Sequence, residues 1–279
     1  MIGRWVVATI CCTLYVFMTD VPAVAQLKSW AVPPPANATA LDLLLTNKQY
    51  DQLGEALSYR HGDETFRNMN WEKDKLLQGA SAYISFVYVF DLRLAASVAA
   101  LNAERLASLN ASISAREAKR AVELEEDAAL VLLYVFELVA IDGMKCQDVT
   151  APAHRRDQLF QIYADVWTDI AEMPKDRRTR LIAAAIDIEQ RTASLRADDD
   201  FLCRNGIEER RAALAKNANT PLTQTQQPSA PGKTVEVLVD PDYQPKFLAP
   251  EVSLPKQAEI RAAMPKRLPQ MIERFKTKP

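Results

Sequence analysis

Two carboxylates stand inside the most apolar stretches of the chain. Asp91 closes the run Tyr83–Phe90 (YISFVYVF), and Glu137 sits within ALVLLYVFELVAI, residues 129–141. They hold equivalent places in an echo, Tyr88-Val89-Phe90-Asp91-Leu92 against Tyr134-Val135-Phe136-Glu137-Leu138, offset by 46 residues. Carboxylates that meet in a core repel each other's charge and push one pKa upward, the arrangement found at acid–base sites. The competing reading pairs each with an arginine, such as Arg93 or Arg105, or leaves it on an exposed stripe. The aromatic residues around them, Tyr83, Phe86, Phe90, Tyr134 and Phe136, could line an apolar pocket between two helices; otherwise they are plain core.

Other chemistry fails on spacing. The two histidines, His61 and His154, lie at no ligand spacing from a carboxylate or from each other. No Glu-x-x-His or His-Glu-x-x-His occurs, so di-iron and zinc readings lack their ligands, and no metal or cofactor is expected. There is no glycine-rich phosphate loop and no Gly-x-Ser-x-Gly elbow. Asp198-Asp199-Asp200 lacks the alternating oxygens and sixth-position glycine of a calcium loop and reads as a solvated helix end.

Cysteine is more informative. Between Cys146 and Cys203 the sequence writes two helical faces. One carries Leu159, Phe160, Tyr163, Val166, Trp167 and Ile170; the other carries Leu181, Ala185, Ile188 and Leu195. Pro152 suits the first turn of the first helix, and Met173-Pro174 separates the two. Near-equal helices joined by a tight turn fold back antiparallel, which returns Cys203 to Cys146. A bridge closing that loop stabilises the fold by about 4 kcal/mol in the chain-entropy model. Free thiols or a redox pair are the alternatives.

The start of the chain gives the compartment. Arg4, an uncharged apolar run from Trp5 to Met18 and Ala23-Val24-Ala25 compose a signal peptide over residues 1–25, cleaved near Ala25. The run of 14 residues falls short of the roughly 20 needed to span a bilayer. Cleavage removes Cys11 and Cys12 and leaves one cysteine pair for an oxidising compartment, periplasmic or secreted. No transmembrane span is expected in the mature chain. A net charge of −2 gives no electrostatic case for nucleic acid.

Only seven glycines occur, and between Ala36 and Thr220 only Pro152 and Pro174 interrupt an Ala/Leu/Glu/Arg-rich text. The expected fold class is all-α: an irregular antiparallel helical bundle over residues 38–216, with one disulfide, preceded by an extended linker over 26–37. Residues 70–109 read as one long helix with a mild interruption at Gly79 and a bend between Asp91 and Asn102. Ser114 and Glu117 read as a capping box, and Gly143 as a helix stop. Residues 217–279 hold ten of the 16 prolines and read as a Pro-rich, largely disordered tail with short helices at its end. In that tail, Thr234–Val239 (TVEVLV) alternates like a strand with no evident partner, and residues 255–279 are basic.

Function is expected to be that of a non-enzymatic periplasmic interaction or scaffold protein, meeting another envelope protein through the tail. The alternatives are a module for a small apolar ligand or lipid, and an enzyme using Asp91 and Glu137.

Overall fold

The computed structural model describes residues 27, 29–58, 62–216, 223–225, 234–236 and 243–276. The signal peptide expected over residues 1–25, His61, and residues 237–239 of the TVEVLV run lie outside them. The described chain is helical apart from two three-residue strands, β1 (Thr223–Thr225) and β2 (Thr234–Glu236), paired antiparallel. Residues 234–236 therefore have a partner within the chain, against the expectation.

The core is a long antiparallel hairpin of α4 (Ala82–Leu106) and α5 (Ala111–Ile141). Tyr83–Phe90 is helical, as its unbroken continuation into Leu92–Leu106 requires, despite its β-branched and aromatic content. By length and composition α4 could cross a membrane, but over half of its most apolar stretch is buried within the bundle. Asn110, not Ser114, caps α5, accepting from the Ile113 N–H; the Ser114 hydroxyl instead donates to the Ala103 carbonyl across the hairpin.

Around the hairpin lie α1 (Ala38–Thr46), α2 (Tyr50–Leu57) and α3 (Asp63–Leu77) on one flank. Leu41, Leu53, Leu57, Trp71 and Ile84 form a small core of their own there. The long helix expected over 70–109 is broken at residues 78–81, between α3 and α4. Gly79 is the break, with φ +74°, a conformation that side chains disfavour. The linker is not free: Leu27 is buried, and the Trp30 backbone exchanges hydrogen bonds with the Asn70 side chain on α3.

On the other flank, α6 (Thr150–Ile162), α7 (Ala164–Glu172) and α8 (Lys175–Thr192) make the out-and-back excursion. Its outward limb breaks at Tyr163 without a glycine or proline. There the Tyr163 hydroxyl donates to the Phe86 carbonyl, and the Trp167 indole N–H donates to the Leu159 carbonyl. The return limb ends in the short α9 (Asp200–Cys203), and Cys203 is bonded to Cys146 with a Cα–Cα distance of 5.2 Å. α5 ends at Ile141 with Asp142 as its C-cap, so Gly143 holds the position just past the helix as expected, without a positive φ and within a 3-10 turn, Asp142–Lys145, where any Cβ would strike Pro152. α10 (Ile207–Lys216) follows the disulfide.

The largest departure is the tail. Residues 243–276, expected to be flexible with short helices, dock on the bundle, and Pro250–Ile272 forms one 23-residue helix, α11. Its buried stripe is Ser253, Gln257, Met264, Leu268, Met271 and Ile272. Pro255 and Pro265 are exposed and Pro269 half-buried, so the N–H groups they lack are missing where water reaches the freed carbonyls.

Candidate functional site

Asp91 and Glu137 are both buried, but the hairpin keeps them apart. Ser114 bonds Ala103 across it, so facing positions sum to 217 and Asp91 lies level with Glu126. Glu137 is then 11 residues further along, roughly 16 Å at 1.5 Å per residue. The echo repeats the letters at two different heights. Nor does either acid take Arg93 or Arg105: Arg93 is 2.5 Å from Asp165.

Asp91 is paired with Glu72 of α3, a residue that sequence reading did not single out. No N–H or hydroxyl reaches either oxygen of Glu72. Burial, followed by the Asp91 charge and the hydrogen bond to Asp91, holds the Glu72 carboxyl well above the usual carboxylate range. Burial likewise pushes Asp91 up to about 6, and the Glu72 hydrogen bond draws it back. Protonated Glu72 donating to ionised Asp91 gives each carboxyl a partner and leaves the second Glu72 oxygen without one. Glu72 stands in the polar heart of α3 (NMNWEKDKLL), where spacing alone marks it as a surface residue.

Glu137 belongs to a buried charge network. Arg196 Nε is 2.5 Å from Asp142 Oδ2, and its Nη1 donates to the Thr192 hydroxyl at 2.6 Å. Glu189 receives Arg196 Nη2 at 2.5 Å and both Nε and Nη2 of Arg261 at 2.9 Å. Gln257 Nε2 donates to Asp142 Oδ1 at 3.0 Å. Two carboxylates, Asp142 and Glu189, thus balance two guanidiniums. Burial opposes charge on Glu189, yet the hydrogen bonds and charges of Arg261 and Arg196 outweigh it and hold its carboxyl low. A third carboxylate has no cation left. Burial and then the Glu189 charge push Glu137 up to about 9, only partly countered by Arg196 and Arg261.

The five aromatic residues do not share a pocket. Tyr83 and Phe86 pack edge-on against Phe201. Phe136 joins Phe160 and Trp167. Tyr134 shares a hydrogen bond with Thr192, and Phe90 is exposed. Of Asp198-Asp199-Asp200, expected as a solvated end, only Asp198 is exposed. The Asp199 carboxylate accepts from the Ala82 N–H at 2.7 Å, the Ser81 hydroxyl at 2.8 Å and the Phe201 N–H at 3.1 Å, capping α4 and α9 together.

What the fold does build is a cleft of about 710 Å³ between α11 and the facing surfaces of α5 and α6. The α5 side presents Phe136, Val139, Ala140 and, just beyond the helix, Met144; the α6 side presents Pro152, Ala153, Arg156 and Phe160. The α11 wall is Ile260, Met264, Arg267, Gln270 and Met271, followed by Arg274 in the 3-10 turn Glu273–Phe275; Ile260, Met264, Arg267 and Met271 are spaced four, three and four residues apart and so on one face. Two other recesses are smaller, about 240 Å³ beside Lys48 and Asp199 and about 330 Å³ between Arg93 and Arg177. None of the three is lined by Glu72, Asp91 or Glu137. Among the described residues no group of three or more His, Cys, Asp or Glu side chains is placed to hold a metal ion. No family model, curated protein or solved structure matches the chain.

Proposed function

We propose that this chain is an exported, non-enzymatic binding protein of the cell envelope, working through the cleft between α11 and the α5–α6 surface. The cleft carries the reading. Its volume of about 710 Å³ falls among ligand-binding pockets, and its floor is apolar and methionine-containing. The disulfide Cys146–Cys203 supports export, since such bonds persist in oxidising compartments. The buried carboxyls support a non-enzymatic role. Glu72, Asp91 and Glu137, the carboxyls that burial pushes upward, line none of the three recesses where a substrate could reach them. Here the basic tail serves as one wall of the site instead of a free arm seeking a partner.

The test uses Nile red, an uncharged dye whose emission rises and shifts to the blue in apolar surroundings. The oxidised protein should bind it saturably, about one molecule per chain. Ala153→Trp, which fills the cleft from α6, should abolish binding while helicity by circular dichroism is retained. Absence of binding to the native protein, or undiminished binding to a folded Ala153→Trp variant, sinks the proposal.

A further inference from the structure

We infer that the ligand of this cleft is a single-chain amphiphile with an anionic head group, a long-chain carboxylate in the simplest case. The inference rests on the cleft being the working site and adds the chemistry of its occupant. Along this wall the character changes: Ile260 and Met264 lead, Arg267, Gln270 and Met271 follow, and Arg274, in the 3-10 turn beyond α11, closes the row. From Ile260 to Arg274 is 14 residues, roughly 21 Å of helix, the reach of a long alkyl chain.

The opposite wall matches that polarity. Phe136, Val139 and Ala140 offer no hydrogen-bonding side chain, so nothing on the floor would orient a sugar or a polar head. Charge sits at the rim, where the lining holds three arginines, Arg156, Arg267 and Arg274, against one carboxylate, Asp157. Arg156 is 3.7 Å from Asp157. Arg267 and Arg274 have no carboxylate partner among the described residues, whereas Arg261, one turn from the row, is committed to Glu189. Two unengaged guanidiniums beside an apolar trough fit a head group that accepts hydrogen bonds and carries negative charge. Met144, Met264 and Met271 can repack around chains of differing shape.

Isothermal titration calorimetry on the full, oxidised chain tests this with dodecanoate kept below micelle formation. Dodecyltrimethylammonium and dodecyl maltoside carry the same chain on cationic and neutral heads. Dodecanoate should bind at least tenfold more tightly than either. Each added methylene should tighten binding about fourfold. Arg267→Glu with Arg274→Glu should remove at least tenfold of the dodecanoate affinity. The same charge change placed on α5, Arg116→Glu with Lys119→Glu, should not. Equal affinity for the three heads, or independence from chain length, overturns the inference. So does binding of anionic vesicles by a folded Ala153→Trp variant that does so as well as native protein. Should Nile red enter the cleft and dodecanoate fail to displace it, the ligand chemistry is wrong and the site stands. Should neither bind, both readings fall.

Discussion

The network around Glu189 makes a prediction that depends on one proton. Glu189 is fully buried and receives three guanidinium hydrogen bonds. Replacing it by Gln leaves Arg196 and Arg261 facing only Asp142, and removing one partner of a buried ion pair costs about 3–5 kcal/mol. But Glu137 waits alongside with a proton. Of the influences on it, burial remains, the Glu189 charge disappears, and the attraction of two arginines is unopposed. Glu137 should then ionise near neutral pH and restore two charges against two. Glu189→Gln should therefore cost nearer 3 kcal/mol than 5. Glu137→Gln alone should cost little or stabilise, because it removes a group that the native state holds neutral at the expense of its ionisation in the unfolded chain. The double variant should lose at least about 1 kcal/mol more than the sum of the singles, since residues in one network couple. Urea unfolding of the four proteins at pH 7.5 measures the cycle. A carbon-13 label on the Glu137 carboxyl reports its titration independently. Additivity within about 0.5 kcal/mol, with a Glu137 titration unmoved by Glu189→Gln, would show that the two acids do not compete for the arginines.

Three further outcomes rest on the same structure. Cys146→Ser with Cys203→Ser, opening a loop of sequence separation 57, should lower unfolding stability by about 4 kcal/mol in urea titration; a loss below 1 kcal/mol would leave the hairpin needing no bridge. Native stability should fall as pH rises, because Glu137 (about 9 against an ordinary 4.5) and Asp91 (about 6 against 3.8) keep protons that the unfolded chain has released. The slope is up to about 1.4 kcal/mol per pH unit for each proton so retained; Glu137→Gln should make the fall of the thermal midpoint above pH 6 shallower without abolishing it, since buried Glu72 also keeps its proton, and a flat native profile from pH 6 to 9 would contradict a buried neutral Glu137. Gly79→Ala should cost about 2–3 kcal/mol, because φ is +74° and the new Cβ would lie 2.9 Å from the Leu195 carbonyl carbon; an unchanged midpoint in chemical denaturation would deny the break its structural role.

The helical class and the disulfide hairpin were legible because both rest on local signals: heptad-like apolar spacing, sparse glycine, and Met173-Pro174 as a hinge. The charge chemistry was not, because it is written between helices. Nothing near Glu72 in sequence announces that α3 will press it against Asp91. The Asp91/Glu137 echo misled for a geometric reason: an antiparallel hairpin places matching letters at matching heights only when they are equidistant from its turn. Ser114 looked like a cap because Glu117 followed it, yet Asn110 comes first and closes the helix one turn earlier. Tyr163 breaks its helix through tertiary hydrogen bonds that no local rule contains.

Helix α11 was hidden by its own prolines, which on a composition count argue for an unstructured chain. Position decides otherwise: Pro255 and Pro265 lie away from the stripe formed by Gln257, Met264, Leu268 and Ile272, and Pro269 borders it half-buried. Three unlike attachments then hold the segment along its length. The chain enters through a bridge beside the disulfide, where Gln147 N–H donates to the Lys246 carbonyl and Leu248 N–H to the Lys145 carbonyl. It is clamped midway by Arg261 on Glu189 and leaves with Phe275 stacked on Trp167, ring centroids 5.5 Å apart. A wall fixed at both ends and the middle makes the cleft a preformed feature of the fold, so its occupant need not supply the ordering free energy of the tail. Loosening the clamp with Arg261→Ala should therefore raise hydrogen exchange across α11 and weaken ligand binding together. Arg267→Glu with Arg274→Glu should weaken binding with exchange unchanged. If Arg261→Ala left binding intact while α11 exchanged freely, the tail would not be a wall of the site.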